Sequence, residues 1–237
     1  MQVLEIDERF CGPPGIGNGG YVAGRLAAIL GVDAVEITLR GPAPLMRALQ
    51  VQRDGESVLL KDDGENVVAQ GRAAFPSQDQ PPVVPTYEEA VEASRRYIGF
   101  CNHPVPRCFV CGTERPDGLR IFPGTLPHWP HVLAAPWVPD HSLANGERVA
   151  PEFVWAALDC SGAFACMDDR LRPMLLGRIT GRISGEIRVG EKCIASGWKI
   201  SSEGRKHLAG TAVWNEAGEV RGIANAIWFD LPPRAES

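Results

Sequence analysis

The chain of 237 residues carries a formal net charge of −5, with 44% hydrophobic and 22% charged residues. That balance describes an ordinary globular protein with a sizeable core, and it excludes nonspecific binding to nucleic acid or to an anionic membrane, leaving only a local basic groove for a phosphorylated ligand. No apolar run reaches the roughly 18 residues of a spanning helix, MQVLEIDERF carries acids where a signal peptide carries bases, and seven scattered cysteines do not form a secreted disulfide framework. A cytoplasmic protein with reduced thiols is expected, with no membrane or nucleic-acid partner.

From Gly17 the pattern predicts a helix over 19–30, then strands in VEITLR, ALQVQRD, SVLLKDD and NVVAQGRAAF, separated by turns in GPAP, DGE and DGEN. The polar, Pro-rich SQDQPPVVPT at 77–86 reads as a linker, and YEEAVEASRRYI as a short amphipathic helix. PEFVWAALDCSGAFACM at 151–167 reads as one helix, followed by strands in MLLGRITGRISGEI, KCIASGWKISSEG, RKHLAGTAVWNEAG and EVRGIANAIWFDL. The second half therefore repeats the order of the first, one helix and then four strands. The expected boundaries are 1–80 for an N-terminal module, 81–100 for the linker and short helix, and 101–234 for a C-terminal module. A duplicated α+β module, an antiparallel sheet packed by one long apolar helix, accounts for the repeat; two unrelated α+β halves are the competing reading.

CFVCGTERPDGLRIFPG at 108–124 resembles the CFxCGxxNxxGL opening of hotdog-fold thioesterases of the phenylacetate-pathway type. NGGYVAGRLAA resembles the HGGYLAALLA helix start of acyl-CoA thioesterases that hold two hotdog modules in one chain, and the strands after residue 177 are similar to the family's sheet. The resemblance covers most of the chain. It implies two tandem hotdog modules forming an internal pseudo-dimer, and hydrolysis of an acyl thioester, acyl-CoA in the first instance. Coenzyme A would enter as part of the substrate, with no separate cofactor. The same fold hosts hydratases and dehydratases, whose usual Asp and His pairing on one helix is absent here, and a non-catalytic acyl-CoA-binding protein is a further alternative. Pairing of whole chains into a homodimer stays open.

Hydrolysing a thioester requires fixed donors for the carbonyl oxygen and a carboxylate that activates water or attacks the carbon. A helix start supplies free N–H groups, so Asn18 with the Gly19 and Gly20 amides are the candidate donors; an ordinary Asn N-cap is the competing reading. Asp159 is the candidate acid, a lone carboxylate in an apolar stretch. On a continuous helix it would share a face with Trp155, Ala156, Gly162 and Ala163. In the family pattern an acid stands about two turns after the glycine donor. Here Ala27 and Ala28 stand there in the first copy, and Pro151, which has no N–H, stands at the donor position of the second. The copies are complementary, which predicts one divided site per chain. Asn18 stands where relatives often carry His, so its role is orientation.

Thr180 and Ser184 are candidates to hold the water or the carboxylate. Arg205, with Arg178, Arg182 and Lys206, is a candidate for the CoA phosphates. In CNHPVPRCFVCG, the residues Cys101, His103, Cys108 and Cys111 could ligate zinc through a CxxC spacing that suits a knuckle. Because the resembling openings carry CxxCG as a structural feature, the reading is no metal, with a structural zinc as the alternative. His128, His131 and His141 read as loop or rim residues.

Overall fold

The structure, a computed structural model, describes residues 2–74, 80–168 and 170–231. The first half holds β1 (Gln2–Leu4), α1 (Gly19–Leu30), β2 (Ala34–Leu39), β3 (Leu49–Asp54), β4 (Ser57–Lys61) and β5 (Val67–Ala73). Then come α2 (Tyr87–Ser94), α3 (Gly99–Asn102), β6 (Gly124–Leu126), β7 (Trp129–Trp137) and a small hairpin of β8 (Ala144–Asn145) and β9 (Arg148–Val149). The chain continues through α4 (Pro151–Ala157), α5 (Cys160–Met167), β10 (Met174–Ile183), β11 (Cys193–Glu203), β12 (Lys206–Asn215) and β13 (Val220–Asp230). Part of the expected linker, residues 77–79, and the expected boundary at 234 lie outside the described residues.

Among the described residues eleven strands form one antiparallel sheet in the order β1-β3-β4-β5-β2-β10-β13-β12-β11-β7-β6. The halves meet at β2 and β10, which pair antiparallel from Arg178 against Thr38 to Arg182 against Ala34. Outward from this seam each half places its strands in the same sequence order, so the repeat read along the chain is a repeat in space.

Asn18 caps α1 by accepting from the Tyr21 N–H at 2.9 Å, and Gly31 ends it in the left-handed region, at φ 67°. Apolar residues of α1, including Tyr21, Val22 and Leu26, are buried in the main core with α4 and α5. The capping box of Thr86 and Glu89 starts α2, which packs on β6, β7 and β11 in a smaller second core with Trp198 and Trp214. The strand β11 therefore has α5 on one face and α2 on the other, and Cys193 to Trp198 are all buried.

Two sequence expectations need correction. Four strands are expected in the second half, none of them in 126–141, yet most of that segment is β7, covered by both α2 and α5, so VLAAPW lacks the alternation that marks a half-exposed strand. Residues 151–167 are not one helix. The chain turns at Leu158 and Asp159, closed by bonds from Asp159 N to Ala156 O and from Gly162 N to Asp159 O, both 3.1 Å. Aspartate competes poorly as a helix-interior residue, and here its side chain is drawn away to a partner on α1.

Candidate functional site

Helix α1 crosses α4 at close range because its glycines leave room. A Cβ on Gly20 would lie 2.6 Å from the Trp155 carbonyl oxygen and 2.7 Å from Asp159 Cβ, and one on Gly24 would lie 2.5 Å from Glu152 Cα. The glycines of NGGYVAGR thus serve helix packing first, a reason the sequence reading missed although the Gly20 to Gly24 spacing puts both on one helix face.

This crossing sets Asp159 against the start of α1. Its Oδ2 accepts from Asn18 Nδ2 at 2.7 Å and from the Gly20 N–H at 3.0 Å. Although Asp159 stands just before α5, its side chain makes no cap bond to that helix. Its Oδ1 is buried with no hydrogen-bond partner among the described residues. Burial pushes the carboxyl up to about 7; the Gly20 and Asn18 donors pull against this, and the nearby Cys108 sulfur adds to it. A carboxylate tuned there, with one oxygen held and one free, is suited to accept a proton from water or to attack a carbonyl.

The structure brings Asn18, Gly20 and Asp159 into direct contact across the two halves. The Gly20 amide, expected to polarise a substrate carbonyl, is instead occupied by the carboxylate, and Asn18 is at once the N-cap and the second carboxylate donor. Gly19, the first residue of the helix, keeps an N–H with no acceptor among the described residues. Asn18→Ala removes both the cap and a carboxylate donor, and a loss of about 0.5–2 kcal/mol is expected; urea or thermal melts of wild type and variant check it.

Asn18, Gly19 and Asp159 line a cavity of about 790 Å³ whose wall includes Val22, Leu39, Ala163, Phe164, Met174 and Leu176. The N-terminal loop also lines it at Gly12, Pro13 and Ile16, a contribution the sequence reading did not anticipate. That loop is tied to the CFVC segment by the Phe109 N–H to Cys11 O bond of 2.8 Å and to α1 by stacking of Phe10 on Tyr21. Arg205 lines the same cavity with Arg40, Arg178 and Lys206, and its Nε donates to the Asp230 carbonyl at 3.0 Å.

Thr180 and Ser184 do not reach the site. The register of β10 against β13 shifts between Leu176 and Arg178, so inward positions pass from Met174 and Leu176 to Ile179, and Thr180 lies on the opposite face with Arg182, neither of them lining the cavity. Ser184 lies past the strand end and is exposed. The four proposed zinc ligands do not converge either: Cys101 is exposed on α3, and His103 Nδ1 accepts from the Val105 N–H at 2.8 Å. The sulfurs of Cys108 and Cys111 do come together, with Cys160 of α5.

The sequence matches no protein-family model and no curated protein. Solved structures do match. The tesB protein of Mycobacterium avium subsp. paratuberculosis is 13% identical with a TM-score of 0.63, over 97% of this chain and 92% of that one. An acyl-CoA thioesterase II of Mycobacterium marinum is 13% identical with a TM-score of 0.60, over 98% of this chain and 93% of that one. At these identities the likeness is one of fold, and at that level the resemblance read from the sequence holds: over nearly its whole length the chain has the fold of the hotdog thioesterase structures it matches.

Proposed function

We propose that the chain hydrolyses an acyl thioester, with acyl-CoA as the substrate class, at one site shared between two tandem hotdog modules. The observation that carries this reading is the Asp159 carboxylate, 2% exposed, held through one oxygen by Asn18 and Gly20 of the other half and unpartnered at the other. The fold of the matched thioesterases supports it.

The acyl chain lies in the apolar cavity with its carbonyl carbon near Asp159 Oδ1. The Gly19 N–H, at the positive end of the α1 dipole, polarises the carbonyl oxygen. Asp159 takes the proton of an attacking water, or attacks the carbon itself to give an anhydride that water then opens; in both cases the C–S bond breaks and the thiolate leaves. Asn18 and Gly20 hold the carboxylate so that Oδ1 faces the reacting carbon, and Asn18 does no proton transfer. The basic residues of the cavity wall, Arg205 foremost, meet the CoA phosphates.

Free-thiol release across a panel of acyl-CoA esters tests the reading. Turnover by wild type that collapses in Asp159→Asn supports it, whereas tight acyl-CoA binding without turnover favours a binding protein. Arg205→Ala is expected to raise KM for acyl-CoA about 5-fold, near 1 kcal/mol for a solvent-screened charge contact. It should leave kcat unchanged and should not affect an acyl-pantetheine ester, which lacks the nucleotide phosphates. Equal effects on both esters would remove Arg205 from phosphate binding.

A further inference from the structure

Three sulfurs outside the proposed reaction meet beside Asp159. Cys108 and Cys111 belong to the CFVC turn, Cys160 is the first residue of α5, and their Sγ atoms all lie within 4.8 Å of one another. All three residues are buried, and all line the cavity, which gives an ion a way in.

The geometry points to a metal-binding site: we infer that Cys108, Cys111 and Cys160 together hold one zinc ion. A tetrahedral zinc with Zn–S bonds of about 2.3 Å places its sulfurs about 3.8 Å apart, and Cys108 and Cys160 stand at 3.7 Å. The turn has the form of a metal knuckle. The Gly112 N–H closes the turn onto the Cys108 carbonyl at 2.9 Å. A Cβ on Gly112 would sit 2.5 Å from that same oxygen, so the tight turn requires glycine.

Soft sulfur donors at this spacing select a zinc-like ion over magnesium or calcium. Among the described residues no fourth His, Cys, Asp or Glu completes the group, so the fourth position falls to water or to a donor from a molecule in the cavity. Asn18 Nδ2 lies 4.0 Å from the Cys108 sulfur and 2.7 Å from Asp159 Oδ2, placing Asn18 between cluster and carboxylate. The ion would pin the CFVC turn to the residue that follows Asp159 and so fix the helix break that presents the carboxylate. This is a positioning role, and its test is independent of the reaction.

The full chain, purified without a polyhistidine tag or chelator, is assayed for metal and, after exchange, for the absorption of bound cobalt(II). About one zinc per chain is expected for wild type and for Cys101→Ser, together with a thiolate-to-cobalt charge-transfer band and the strong visible bands of a tetrahedral ion. Zinc content should fall at least roughly tenfold in Cys160→Ser, and in Cys111→Ser as an independent variant, since two thiolates close no structural site. The wild-type spectrum decides alone should either variant fail to fold. Wild type with neither zinc nor a cobalt–thiolate band overturns the inference, as does a folded Cys160→Ser that keeps both.

Discussion

Asp159→Asn is expected to lower kcat for acyl-CoA hydrolysis by about 10²- to 10⁴-fold, the usual worth of a positioned general base, with KM changed only a few-fold. Asparagine keeps the shape of the side chain, and its amide oxygen can still accept from Asn18 Nδ2 and the Gly20 N–H. What it removes is the basic oxygen that is buried without a partner. The protein should melt no lower than wild type, because a buried carboxylate with one unsatisfied oxygen is an expensive group to keep for the fold alone. Steady-state kinetics and thermal melts on the same preparations check both halves. A variant that loses stability and activity in proportion would make Asp159 structural.

Gly20→Ala is expected to cost about 1–3 kcal/mol, as overpacking does in a close-packed core, and to lower kcat at least tenfold. The new methyl has nowhere to go: it meets a backbone oxygen at 2.6 Å and the Cβ of Asp159 at 2.7 Å, neither at the end of a flexible side chain. Separating α1 from α4 relieves the contact but lengthens the 3.0 Å bond from the Gly20 N–H to Asp159 and shifts the carboxylate. Displacing a catalytic group by about 1 Å is worth on the order of 10²-fold in rate. Gly19→Ala makes a useful contrast, because its methyl would meet Leu176 Cδ2 at 2.9 Å and Leu39 Cδ1 at 3.0 Å, both of which can turn aside. Urea melts should rank Gly20→Ala well below Gly19→Ala in stability; equal losses would mean the helix crossing is not set by Gly20.

Local chemistry explains which parts of this were legible in the sequence. The limits of α1 follow from Asn18 and Gly31, and the strands of both halves from short runs between Gly-containing turns, so the repeated order could be read. The pairing of Asn18 and the glycines with Asp159 was legible because each copy lacks what the other has. The break before Cys160 was not, since its apolar pattern continues through Leu158 and the donors that hold Asp159 lie on the distant α1 start. The placing of Thr180 failed for want of one residue of register. Gly177 sits where β10 slips against β13, and glycine within a strand is the signal that could have shown the bulge. The cysteine cluster was half visible: CxxC marks the turn, but its third sulfur comes from a helix distant in sequence, and Cys101, nearer along the chain, faces solvent.

The central claim, that the start of α1 and Asp159 act as one unit across the two halves, is tested most directly by kcat/KM for acyl-CoA in wild type, Asn18→Ala, Asp159→Asn and the double variant. Residues that work only through each other are strongly non-additive. The account predicts that Asn18→Ala slows wild type clearly but leaves Asp159→Asn no slower than it already is. Two penalties that multiply in full in the double variant would contradict it.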